Sequence, residues 1–277
     1  MKPSVVLKAD LESALGGRFA APLTFRQRPA PELVSTGIPS LDSLAGGLPR
    51  GAITEIFGSA SSGRTSLLLS ILAAATTRQE ACALVDASDT FDPASSAVAG
   101  VDLAKLLWIR CAGNPEHALQ AADWLVQGGG FAFVVLDLGD LSPGTARRIP
   151  LTSWFRFQRA IENTPTVLMV LDREPCAKSC ASLILEMKNG SVAWSGSPGC
   201  SRLLRGARVE VTPRKPPRSQ TATFEANALV MPQSRGPWDK LQLVSGGTGK
   251  ASGQAESLSH PARQAIAPET EALHALE

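Results

Sequence analysis

The chain has 277 residues, 44% of them apolar and 19% charged, with a formal charge of +2. That apolar share supports a buried core in one large or two small domains and excludes a wholly disordered or fibrous chain. The near-neutral balance excludes nucleic-acid binding through overall charge, so any such contact needs a local patch.

The five cysteines, Cys82, Cys111, Cys176, Cys180 and Cys200, are odd in number. The chain opens with neither a secretory leader nor a long apolar stretch, which predicts a reducing, cytoplasmic setting. Cys176 and Cys180, in "CAKSC", lack a second Cys or His pair to complete a metal site. The cysteines are therefore expected to be buried thiols, with no metal assigned to them.

Residues 1–33 read as an appendage, in which "SVVLKADLESALGG" is an amphipathic helix and "RFAAPLTFRQRPAPE" a polar, proline-containing linker. From Val34 onward short apolar runs alternate with helical patterns, which predicts an α/β core with a mostly parallel sheet flanked by helices. The runs are "AITEIF" (52–57), "CALVD" (82–86), "LLWIR" (106–110), "FAFVVLDL" (131–138) and "TVLMVL" (166–171). The helical stretches are "SLLLSILAAATTRQE", "PEHALQAADWLVQGGG" with Asn114 as N-cap, and "SWFRFQRAIEN" with Trp154, Phe157 and Ile161 on one face.

After the fifth run the pattern turns antiparallel. "LILEMKNGSVAWSG" carries Asn189–Gly190, a dipeptide that favours tight hairpin turns, and "ARVEVT" (207–212) reads as an edge strand. The core is thus expected over 34–213, ending in an antiparallel hairpin extension. Residues 214–277 are rich in Pro, Ser, Gly and Gln and are expected to be a largely disordered tail, whose end "PARQAIAPETEALHALE" could become a short helix on a partner.

The stretch "EIFGSASSGRTSLLL" supplies a strand, a Gly-rich loop and a helix in the order of a phosphate-binding loop. The candidate nucleotide site is Gly58, Ser59, Ala60, Ser61, Ser62, Gly63, Arg64, Thr65 and Ser66. Backbone N–H groups of such a loop point inward, the helix adds its positive end, and the Thr65 hydroxyl can ligate Mg²⁺. Asp137, closing "FAFVVLD" on what reads as an adjacent strand, is the second candidate for holding Mg²⁺. The bland alternative is a Gly/Ser turn with an incidental aspartate.

The stretch "STGIPSLDSLAGGLPRGAITEIFGSASSGRT" closely resembles the opening of the bacterial RecA recombinase core, and the likeness runs to about residue 215 through "CALVDASDTFDPASSAVAGVDLAKLL", "ASLILEM" and "RGARVEV". The resemblance implies ATP and Mg²⁺ as ligands, but the chain departs from it at chosen places. Arg64 stands where the family has the loop lysine, Ser88 where it has the glutamate that activates water, and Arg173 where it has the glutamine that senses the γ-phosphate. A planar guanidinium is not a compact ammonium, and serine cannot serve as that base. Asp89 is next in line as a substitute, although neighbours in an extended segment point in different directions.

Losing two such groups, each worth on the order of 10²–10³ in rate, predicts a degenerate nucleotide site with no catalytic residue, ATP and Mg²⁺ being weakly held if at all. The family's two DNA-binding loops correspond to only "SPGTARRIPLTS" and "REPCAKSC". Arg147, Arg148, Arg156 and Arg159 alternate with Trp154, Phe155 and Phe157, but the spacing puts Trp154 and Phe157 on a core-facing stripe, so DNA contact is expected to be weak or indirect.

An eroded site, trimmed loops and a Pro/Ser-rich tail resemble the ImuA type among RecA-like proteins. That resemblance implies an accessory or scaffold role in bacterial error-prone translesion synthesis and DNA repair. The partners it implies are an ImuB-type inactive Y-family polymerase relative, an error-prone replicative-type polymerase and RecA, with self-association through the N-terminal helix. Two other readings stay open: an active DNA-dependent ATPase using Arg64 and Asp89, and a cell-division or regulatory protein that uses the fold for binding alone.

Overall fold

The structure is a computed structural model, and it describes residues 30–196, 203–227 and 243–245. The strands are β1 (Leu33–Val34), β2 (Leu48–Pro49), β3 (Ala52–Gly58), β4 (Cys82–Asp86), β5 (Leu106–Arg110), β6 (Phe133–Asp137), β7 (Val167–Asp172), β8 (Ala181–Ser195), β9 (Leu203–Lys215), β10 (Ala222–Asn227) and β11 (Leu243–Ser245). The helices are α1 (Pro39–Ala45), α2 (Arg64–Thr77), α3 (Pro93–Val98), α4 (Pro115–Gly128), α5 (Pro143–Arg147) and α6 (Leu151–Ile161). Strands β3 to β11 form one nine-stranded sheet in the order β10-β9-β8-β3-β7-β6-β4-β5-β11. Its middle is parallel, and β8, β9 and β10 pair antiparallel at one end.

The central strands are apolar at nearly every position because helices cover both faces of the sheet. Successive side chains point to opposite faces. In β6, Phe133 and Val135 pack with Leu67, Leu68, Ile71 and Leu72 of α2, whereas Val134 and Leu136 pack with Ala122 and Leu125 of α4 and Trp154 and Phe157 of α6. The Asn114 side chain caps α4, accepting from the N–H groups of Glu116 and His117 at 2.9 and 3.2 Å. The α6 stripe behaves as its spacing predicts: Trp154, Phe157 and Ile161 are fully buried, and the two rings meet edge to face.

The segment "STGIPSLD" braces the loop helix. Asp42 accepts the Thr36 N–H at 2.9 Å and the hydroxyls of Thr36 and Ser35 at 2.8 and 2.6 Å, which closes the chain over α2. Gly37, at φ 80°, lies so close that a β-carbon there would sit 3.0 Å from Ala74 Cβ.

The structure corrects four expectations. Strand β7 lies between β3 and β6, so the loop strand and the Asp137 strand are not adjacent. Asn189–Gly190 is not a hairpin turn: β8 runs through it, and pairing shifts there from Asn189↔Val209 to Val192↔Ala207, which makes it a bulge with one extra residue. The "ARVEVT" strand is not an edge, because β10 covers it. The sheet also continues beyond residue 213, since β10 and β11 both fall in the stretch assigned to the tail. The predicted N-terminal helix, the linker before Ala30 and the rest of the tail lie outside the described residues. Among the described residues, no helix is long and apolar enough to cross a membrane.

Candidate functional site

The loop between β3 and α2 has the backbone of an anion site. Gly63 precedes the helix at φ 91° and Ser61 sits at φ 59°. No side chain caps α2, and its first hydrogen bond is Leu67 N–H to Gly63 O at 3.0 Å. The N–H groups of Arg64, Thr65 and Ser66 therefore precede the helical ladder, and the helix's positive end faces the loop. Phosphate oxygens fit such a place. Ser59, Ala60, Ser61 and Thr65 are exposed, Ser62 is buried, and Arg64 and Ser66 are partly covered.

The two loop glycines are fixed by packing as well as by the backbone. A β-carbon at Gly58 would lie 2.5 Å from Met187 O on β8, and one at Gly63 would lie 2.5 Å from Val209 Cγ2 on β9. The antiparallel ribbon thus presses on the loop. Beside it lies a cavity of about 360 Å³ lined by Ser61–Ser66 together with Val192, Trp194, Leu204 and Val209. Trp194, 50% exposed, gives that cavity an aromatic wall that periodicity did not single out.

Asp86, Asp137 and Asp172 end β4, β6 and β7, so three carboxyl groups line the carboxyl edge of neighbouring strands. Asp86 is wholly engaged in structure: it accepts from Ser88 N–H, Thr90 N–H, Phe91 N–H and the Trp108 indole at 2.9 to 3.3 Å. Asp137 accepts the Gly139 N–H at 2.9 Å. Burial pushes its carboxyl up to about 6, the Gly139 bond and the Arg64 charge pulling against it and Asp86 adding to it. Burial also raises Asp172, against the pull of its bond from the Arg173 N–H, of Cys176 and of Arg64.

Arg64 does not project away from the sheet. Its guanidinium lies against the backbone of Gly139, where a β-carbon would come within 2.9 Å of Cζ and closer still to Nη1. Arg173 reaches the same glycine from the end of β7, donating from Nε to Gly139 O at 2.8 Å, with Nη2 3.5 Å from Asp140 Oδ1. The fold thus brings together Arg64, Asp137 and Arg173 around Gly139. It leaves Thr65 exposed at the helix start and Ser88 in the turn after Asp86, its Oγ buried without a hydrogen-bond partner. Asp89 is turned away at φ 58°, bonded to the Ala112 N–H at 3.2 Å and paired with Arg110 at 3.1 Å.

Phosphate fits the loop, and the Arg64 guanidinium lies over Gly139, two residues from Asp137.

The two short loops are fastened down. Glu55, fully buried on β3, accepts the N–H groups of Cys176 and Ala177 at 2.5 and 2.8 Å, and Arg147 on α5 pairs with Glu174. Sequence reasoning missed this role for Glu55; only an acid inside an apolar strand run could have flagged it. The described cysteines are buried thiols, as expected, with Cys82 pushed up to about 12 and Cys111 to about 11 mainly by burial. Phe155 is 46% exposed on α6 and Trp124 67% exposed on α4, and Arg156 is held by Asp123 at 2.8 Å.

Residues 9–145 match the model of the RecA N-terminal domain family. The fold is RecA-like. It is 37% identical over 131 residues to the RecA proteins of Rickettsia massiliae (strain Mtu5) and Rickettsia bellii (strain RML369-C), a stretch covering 47% of this chain and 38% of each of theirs. The chain therefore spans well under half the length of these curated relatives. In three dimensions it is similar to the crystal structure of the RadB recombinase, with a TM-score of 0.52 and 18% identity over 69% of this chain and 95% of that one. The α/β RecA-like fold, with its mostly parallel sheet and antiparallel strands, is the one expected from the resemblance.

Proposed function

We propose that this RecA-like protein is a non-recombinogenic accessory factor of damage-induced DNA repair, of the ImuA type, that acts by protein contacts in error-prone translesion synthesis. The observation that carries this reading is the placement of Arg64. In a hydrolytic loop the basic residue must meet the β- and γ-phosphates, yet here the guanidinium lies on the Gly139 backbone. Ser88 and Asp89 supply no base to activate water, the first lacking a titratable group and the second held by Arg110 and the Ala112 N–H.

The fastened loops support the same reading. Strand exchange in the manner implied by the RecA resemblance needs mobile loops over DNA, whereas Glu55 and Arg147 tie these two to the sheet and to each other. Any nucleotide would serve as a structural or switching ligand on the α2 amides. The proposed partners are the ImuB-type polymerase relative, the error-prone replicative-type polymerase and RecA.

Affinity capture from cells after DNA damage tests the reading. Co-purification of error-prone polymerase components, reduced by truncation after Ser245, is the expected result. Their absence from the capture, with the protein folded and expressed, would contradict it.

A further inference from the structure

The ribbon of β8 and β9 runs on past its neighbours in the sheet: β3 leaves β8 at Met187, and β10 leaves β9 at Gly206. Its far end carries large apolar side chains that the core does not use. Val192 and Trp194 are two residues apart on β8 and share a face, and Leu204 on β9 pairs directly with Trp194. The three are 41, 50 and 48% exposed, so the shelf they form is uncovered. Among the described residues no ring packs on Trp194 and no guanidinium lies over it.

This shelf faces the loop. Its three side chains and the segment Ser61–Ser66 line the same cavity of about 360 Å³, which sets the amides at the start of α2 opposite an aromatic and aliphatic wall. On the loop side Ser62 is 1% exposed and its Oγ has no hydrogen-bond partner, a buried polar group that calls for one. A ligand matched to both walls carries an anionic group at one end and a flat ring at the other. Inorganic phosphate satisfies the first wall alone and an aliphatic acid offers no ring, whereas a nucleoside phosphate has both, at a size that suits a small-ligand pocket.

We infer that Trp194 is the base-stacking platform of a purine nucleotide site, with the phosphates on the α2 amides and the base on the Trp194–Leu204 shelf. The base is selected by ring area and not by its hydrogen-bonding edge. Asn189 is the one polar side chain that the ribbon contributes to the lining, and an amide that both donates and accepts suits adenine and guanine alike. The inference rests on the proposed function only for the reading of the loop as an anion site.

The test is isothermal titration calorimetry of the full chain with inorganic pyrophosphate, ADP, GDP and CDP, at fixed salt and Mg²⁺. ADP and GDP should bind within about threefold of each other, each at least about tenfold more tightly than pyrophosphate, with CDP in between. Trp194→Ala should weaken ADP and GDP by about tenfold and leave pyrophosphate within about twofold, and Trp194→Phe should recover most of the loss. Pyrophosphate binding as tightly as ADP, or equal ADP affinity in wild type and Trp194→Ala, would overturn the inference and leave the anion site standing. Failure of pyrophosphate and of all three nucleotides to bind would overturn the anion site and the inference with it.

Discussion

Gly63 lies directly beneath Val209, so that a β-carbon on the glycine would sit 2.5 Å from Cγ2 of the valine. The loop that could hold phosphate is therefore also a packing surface for the antiparallel ribbon. Gly63→Ala faces this overlap and a φ of 91° together, and should destabilise the fold by about 1–3 kcal/mol. Urea unfolding measures this, and a loss under about 0.5 kcal/mol would show that β9 yields freely.

Glu55 leads to a second expectation. One of its oxygens holds the N–H groups of Cys176 and Ala177, and the residue is fully buried. Glu55→Ala leaves both amides unsatisfied and should cost about 2–5 kcal/mol. Limited proteolysis at the exposed Lys178 should speed up in a milder variant, Glu55→Gln, if the anchor is what holds the loop. Unchanged cleavage would assign the order of that loop to Cys176 and Cys180 packing instead.

The third concerns pH. Asp137 has an ordinary carboxyl value of 3.8, and burial raises it to about 6 in the fold. The native state thus holds its proton more tightly than the unfolded chain, so stability contributed by this group is greatest below about pH 4. It falls as pH rises toward about 6 and is level above that. Asp137→Asn should flatten the melting temperature across that window, while Arg64→Gln should extend the decline above about pH 6 by removing a charge that favours the carboxylate. A wild type whose melting temperature rises over the same window and is unaffected by Asp137→Asn would contradict this placement of Asp137.

A fourth concerns ligand and metal together. A fluorescent ATP analogue should bind to the same affinity within about twofold in Mg²⁺ and in EDTA, because the loop amides carry the interaction. A loss of about tenfold in EDTA would mean that a metal completes the site.

Much of the fold was legible because central parallel strands leave an unmistakable trace. "CALVD" and "LLWIR" coincide with β4 and β5, and Asn114 caps α4 as its sequence context implies. Strand order was not legible, since an apolar run does not say which neighbour it pairs with, and β7 entered between β3 and β6 unannounced. Asn189–Gly190 misled because the same backbone freedom serves a turn or a bulge, and the ribbon continues past it. β10 was hidden because "ATFEAN" is half polar and follows a proline-rich stretch, yet it needs only one apolar face to cover β9.

At the site the sequence named Arg64, Asp137 and Arg173 but not where they would meet. Gly139 is what joins them, and its importance comes from a close approach that only three-dimensional packing shows. Asp86 and Glu55 escaped notice for a similar reason: their oxygens accept from backbone amides, and for Asp86 also the Trp108 indole, that are distant in sequence or hidden in a turn.

If the nucleotide site is degenerate, the decisive measurement is ATP hydrolysis by the purified full chain, with and without single-stranded DNA. No turnover above that of Asp137→Ala is expected under either condition, and none in Arg64→Lys. Steady turnover by the wild type that single-stranded DNA stimulates and Asp137→Ala abolishes would contradict the degenerate site and the accessory role built on it.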